Sequence, residues 1–92
     1  MVLENKKKRV TFKIEAPLAQ QVFLAGSFND WDPSRHPLKC SKTGVWQKAV
    51  YFMPGTHEYK FVVDGVWVED DTCETKVLNQ FGEYNSAIHI FI

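Results

Sequence analysis

No stretch of this chain is apolar for long enough to cross a bilayer as a helix, and its first residues lack the apolar core of a secretory leader. With no low-complexity tract, no repeat and no linker, 92 residues read as one domain. Eleven basic and eleven acidic residues cancel, so no overall field draws the chain to nucleic acid or anionic lipid. Cysteine is scarce: Cys40 and Cys73 have no CxxC spacing and read as reduced, partly buried thiols. These absences set the expectation of a cytoplasmic protein with neither a membrane nor a nucleic-acid partner.

The chemistry of catalysis is equally thin. His36, His57 and His89 fall in different segments, none at metal-ligand spacing. Ser27 and Ser34 have no nucleophile-elbow context, and no glycine-rich phosphate loop is present. Asp30 and Asp32 flank Trp31 in a turn, where carboxylates usually serve the turn itself. Glu69-Asp70-Asp71 lacks the ligand spacing of a calcium loop. No metal, cofactor or catalytic residue is expected.

What the chain does have is strand alternation, with no helical period in any window. Lys6 to Arg9 is a basic cluster read as a solvated arm, giving an arm over 1–8 and a module over 9–92. Val10, Phe12 and Ile14 alternate with polar neighbours up to Pro17. Strands follow at 21–25, near Leu38, at 45–53, at 76–78 and from Asn85 through Ile88, Ile90 and Ile92. Within 45–53, Trp46, Val50 and Phe52 share a face, so Trp46 reads as core. Short strands between turn signals predict an all-β sandwich. The chain closes on an apolar strand and opens on methionine with a short polar leader, which sets the expectation of a whole, free-standing domain.

The run Tyr59-Lys60-Phe61-Val62-Val63-Asp64-Gly65-Val66-Trp67 carries the most information. Asp-Gly between apolar runs signals a two-residue hairpin, because both turn residues need positive φ. The register opposes Val63 to Val66, Val62 to Trp67, Phe61 to Val68 and Lys60 to Glu69. Phe61, Val63, Val66 and Val68 then face the core, while Lys60, Val62, Trp67 and Glu69 face out. An outward tryptophan beside a lysine, with Trp31 in a polar turn, suits a ligand with apolar faces and polar edges. A pyranose ring fits: its C–H groups stack on indole, and its hydroxyls bond Lys60 and Asn85. Single-stranded nucleic acid also stacks, but it needs a positive groove.

Three segments carry a family resemblance: 22–31 (VFLAGSFNDW), 54–67 (PGTHEYKFVVDGVW) and 79–85 (NQFGEYN). Together they resemble the glycogen-binding module of AMP-activated protein kinase beta subunits, and the related N-terminal modules of isoamylases and glycogen-branching enzymes. The resemblance implies an immunoglobulin-like (early-set) β-sandwich of seven to eight short antiparallel strands. It also implies non-catalytic binding of α-1,4-glucans such as glycogen, starch or maltooligosaccharides. By resemblance Trp31 and Trp67 stack on glucose, Lys60 makes a polar contact, Phe81 packs on the sugar, and Glu83 and Asn85 bond it. Phe81 stands where the kinase subunits carry leucine and Glu83 where they carry threonine, which reshapes that rim. A glycogen-metabolising enzyme or kinase subunit is the implied protein partner. The alternative is a protein-interaction sandwich that binds such a partner and no sugar.

Overall fold

Strands form where the apolar alternation runs, and proline or glycine turns end them. The computed structural model describes residues 7–91. Among these residues are eight strands: β1 (Lys8–Glu15), β2 (Val22–Gly26), β3 (Lys39–Cys40), β4 (Val45–Phe52), β5 (Gly55–Val63), β6 (Val66–Val68), β7 (Lys76–Leu78) and β8 (Tyr84–Ile90). A single 3₁₀ turn spans Ser27–Asn29. Most of the arm expected before residue 9, and Ile92, lie outside the described residues.

The strands make two antiparallel sheets, β1-β4-β3 and β2-β5-β8-β7, with β6 added to β5. They pack face to face as the sandwich read from the sequence. Phe12, Trp46 and Phe52 come from the first sheet, and Val22, Leu24, Tyr59, Phe61 and Ile90 from the second. Fully burying a side chain of this kind contributes about 1.5–3 kcal/mol. The rings meet edge to face, with Phe12 on Tyr59 at 4.7 Å, Phe12 on Phe52 at 5.8 Å and Phe28 on Phe52 at 5.0 Å. Trp46 is a core residue, and its indole N–H donates to the Ala16 carbonyl at 2.9 Å. Of the thiols, Cys73 is half-buried, whereas Cys40 on its two-residue edge strand is exposed rather than partly buried.

β5 organises the second sheet. One of its edges carries β2, from Tyr59 to Val63. The opposite edge is divided: β8 pairs with Gly55–Tyr59, and β6 pairs with Phe61–Val63. Lys60 is the residue between them. Beyond Ser86, β8 leaves β5 and continues on β7 alone, Asn85 pairing with Val77 and Tyr84 with Leu78. The sheet therefore forks at Lys60.

The hairpin has the expected register at Val63↔Val66, Val62↔Trp67 and Phe61↔Val68. Asp64 and Gly65 have φ of 48° and 83°, the signs that a type I′ turn requires. The Asp64 carboxylate also accepts from the Gln20 and Gln21 N–H groups at 2.9 Å each, tying the turn to the start of β2. Three expectations need correction. Val66 is 63% exposed, because β6 is a three-residue edge strand and the hairpin tip has no neighbouring strand to cover it. Val62, expected on the wet face, is buried there, as is Ala25 on the adjoining strand β2. Lys60 does not oppose Glu69, since β6 ends at Val68, and Lys60 is buried.

Gly26, last residue of β2, has extended backbone that any residue could adopt, yet a Cβ there would collide with the Glu58 carbonyl and the Phe28 ring. Gly26→Ala should cost about 1–3 kcal/mol through overpacking, read as a lower denaturant midpoint with unchanged slope.

Candidate functional site

An open groove of about 660 Å³ lies over the fork, lined by Trp31, Lys60, Trp67, Phe81, Glu83 and Asn85 together with Ser27, Glu58, Asn79 and Gln80. All six residues singled out from the sequence thus share one concavity, brought there from three separate segments.

Trp31 arrives on a braced loop. Asn29, buried at its centre, accepts from the Gly26 N–H at 3.0 Å and donates to the Leu24 carbonyl at 3.0 Å. Its second N–H reaches Nδ1 of His36 at 2.8 Å, which requires that nitrogen to be an unprotonated acceptor. The His36 ring also stands edge-on to Phe28 at 5.5 Å. Above this brace Asp30 and Trp31 both have φ of 58°. Consecutive left-handed non-glycine residues are strained, at about 1–3 kcal/mol each, and such strain collects at functional positions. The Trp31 N–H donates to the Gly26 carbonyl at 2.9 Å, closing the turn. Asp32 serves the turn, accepting from the N–H of Ser34 at 2.9 Å and its hydroxyl at 2.7 Å. The two bonds hold its carboxyl below the usual carboxylate range.

Trp67 comes from β6 with 43% of its surface exposed, on the face that Lys60 shares. Lys60 itself is only 6% exposed, and its ammonium lies 2.9 Å from Oε1 of Glu83. The expected pair with Glu69 is replaced because Glu69, past the end of β6, sits 3.5 Å from Lys76.

The third segment is held by amides. Oδ1 of Asn79 accepts from the N–H groups of Phe81 at 2.9 Å and Glu83 at 3.1 Å, and the Asn79 N–H donates to the Glu83 carbonyl at 2.7 Å. Nδ2 of Asn79 donates to Oδ1 of Asn85 at 3.1 Å, and Nδ2 of Asn85 donates to Glu58 at 3.0 Å. The relay Glu58–Asn85–Asn79 therefore fixes the 79–83 loop to β5. Phe81 projects from it, 80% exposed.

Sequence reasoning missed Glu58, Asn79, Gln80 and Ser27. Glu58 was within reach, since it sits two residues before Lys60 and alternation puts both on one face. Asn79 had a weaker signal, an asparagine opening a turn that closes at Gly82. Ser27 is positioned by a long-range bond, its hydroxyl accepting from the Glu58 N–H at 3.1 Å. Away from the groove, Tyr59 donates to Asp70 at 2.6 Å. Burial first, then that bond, pushes its hydroxyl well above the usual tyrosine range, so it stays a neutral donor. No helix among the described residues is long and apolar enough to cross a membrane.

Comparison with known proteins adds the family. Residues 9–91 match the family described as the glycogen recognition site of AMP-activated protein kinase. The chain is 40% identical over 72 residues to the beta-2 subunit of 5'-AMP-activated protein kinase of Homo sapiens, covering 77% of this chain and 25% of that subunit. The beta-1 subunit of Sus scrofa shows the same identity over 72 residues, covering 77% of this chain and 55% of that sequence. A 1,4-alpha-glucan branching enzyme of Thiobacillus denitrificans is 38% identical over 55 residues, covering 59% of this chain and 7% of the enzyme. The chain thus spans a quarter of the length of the beta-2 subunit and far less of the enzyme.

Burial, with Lys48 and Arg35 nearby, holds His36 below its ordinary value of 6.5. The folded state therefore binds this proton less readily than the unfolded chain. Its contribution is fully present above about pH 6.5 and is lost as pH falls through that value toward the folded pKa. Wild type should lose stability relative to His36→Gln between about pH 7.5 and 5.5, measured by denaturant unfolding. Asn79→Ala removes three side-chain bonds of the loop. It should speed amide exchange at Phe81 and Glu83 and lower stability by about 1 kcal/mol or more.

Proposed function

The chain belongs to the family of glycogen recognition sites of AMP-activated protein kinase, and from that premise we propose that it is a non-catalytic binding module for α-1,4-glucans: glycogen, starch or maltooligosaccharides. The observation that carries this reading is the pair of indoles, Trp31 and Trp67, on one groove whose remaining lining, Phe81 apart, is polar. Glucopyranose has C–H faces that stack on indole and a rim of hydroxyls that need both donors and acceptors. Lys60 supplies donors, Glu83 acceptors, and Asn85 both. Phe81 adds an apolar rim against which a sugar packs. An unpaired strand of nucleic acid would need a positive groove, and the carboxylates of Glu58 and Glu83 outnumber Lys60 here.

Hydrolysis by this site is disfavoured on chemical grounds. Glycosidases keep one carboxylic acid protonated in an apolar pocket. Glu83 is exposed and ion-paired, and Glu58 is hydrogen-bonded to Asn85. The module, residues 9–92 with its arm, instead brings glucan to a glycogen-metabolising enzyme or a kinase subunit, in keeping with relatives that are a kinase beta subunit and a glucan branching enzyme.

Two stacked indoles, at about 1–3 kcal/mol each by analogy with bases, leave a modest affinity after association costs, with Kd on the order of 0.01–1 mM for a short maltooligosaccharide. Calorimetric titration with maltoheptaose should give a saturable isotherm in that range. Trp31→Ala and Trp67→Ala should each weaken it by about tenfold or more. Equal heats in wild type and both variants, or no heat in wild type, would sink the glucan reading in favour of a protein-binding surface.

A further inference from the structure

The groove contains a lysine that cannot act as a free cation. Lys60 is buried, and its ammonium is paired with Glu83 at 2.9 Å. The pair does not rest on two mobile side chains alone. Lys60 is fixed in β5, and the backbone of Glu83 is bonded at both N–H and carbonyl by Asn79, at 3.1 and 2.7 Å. Glu58 adds a second carboxylate to the groove, leaving one net negative charge on its lining. The adjoining cleft beyond Trp67 adds Glu69 and Asp71.

We infer that the Lys60–Glu83 ion pair is the specificity element of this groove, reading the neutral vicinal diol of a glucose unit and rejecting glucan that carries phosphate. The inference rests on the glucan reading above and goes further, to the charge state of the ligand. A free buried lysine would attract a phosphate monoester strongly. A lysine already neutralised offers its remaining N–H groups as donors, while the second carboxylate oxygen of Glu83 accepts. Adjacent hydroxyls complete that set, one oxygen accepting from Nζ and one O–H donating to the carboxylate. A phosphate monoester in place of one of these hydroxyls is mostly dianionic at neutral pH, so it offers the carboxylate little proton donation and meets the like charges of Glu83 and Glu58 instead. Like-charge juxtaposition in a partly desolvated groove is a strong discriminator.

The experiment compares maltotetraose with maltotetraose esterified by phosphate at its glucose 3-hydroxyls, one member of the vicinal diol, by calorimetry at low salt. Wild type should bind the phosphorylated ligand at least about tenfold more weakly, with the gap shrinking as salt is raised. In Glu83→Gln and Glu83→Thr, the affinity of phosphorylated relative to neutral ligand should rise about tenfold, because Lys60 is released. Removing Glu83 leaves the buried Lys60 without its partner and lowers stability, so each variant is first shown to be folded by thermal unfolding, and the ratio of the two affinities is the readout. Equal affinities in wild type, or a ratio unmoved in both variants, overturn the inference while maltotetraose binding preserves the glucan reading. No binding of neutral maltotetraose to wild type overturns both.

Discussion

One strand edge cannot serve two partners at the same residues, and the groove is a consequence of how β5 divides its own. β8 takes Gly55–Tyr59 and β6 takes Phe61–Val63. Because β6 occupies the second half, β8 must diverge at Ser86 and find its next partner in β7. The divergence opens a concavity in a surface that would otherwise be flat. It also sets Trp67 on one branch and the Glu83–Asn85 segment on the other. Lys60, at the division, is the residue whose side chain spans the branches. Its burial follows from that position.

The same strand links the groove to the core. Tyr59 and Phe61 point inward from β5 while Glu58, Lys60 and Val62 point outward. From Tyr59 the edge-to-face contacts run through Phe12, Phe52 and Phe28 to His36, which bonds the Asn29 brace beneath Trp31. Packing in the sandwich therefore restrains the loop that carries the strained Trp31 backbone. A loop already held in place has less ordering entropy to lose when a ligand stacks on Trp31.

Legibility in the sequence followed the range of the interaction. The hairpin register was readable because two residues with positive φ determine it locally, and it correctly turned Trp67 outward. Strand positions followed from period-2 alternation, and the sandwich from their number. The failures were long-range. Glu83, the partner of Lys60, lies 23 residues away in the segment with the weakest alternation, so Glu69 was the nearer candidate on the same hairpin. The exposure of Val66 could not be seen from a face assignment alone, since a face is buried only where another element covers it. Asn79 escaped because its work is done by side-chain bonds to backbone, which leave no periodic trace. Trp31, Trp67 and Asn85 could be assigned to one ligand from their chemistry, but Phe81 and Glu83 entered only through the family resemblance, because nothing local relates those segments.

The division of labour among the polar groups bears on how the groove would hold a sugar. Asn85 has each end of its amide committed once, to Asn79 and to Glu58, so its orientation is set before any ligand arrives. Glu83 has one oxygen committed to Lys60, and its backbone committed to Asn79. Each group retains unused capacity, a second amide hydrogen or a second lone pair, pointed by a bond already made. On the glucan reading, hydroxyls then complete a network instead of breaking one, which limits the desolvation cost that weakens most polar recognition. On the same reading the openness of the groove keeps the proposed affinity modest and would let it move along a repeating chain from one glucose unit to the next. Many equivalent positions on a branched polymer raise the effective concentration of each. Under the proposed tethering role, that is a better arrangement than one deep, slow site.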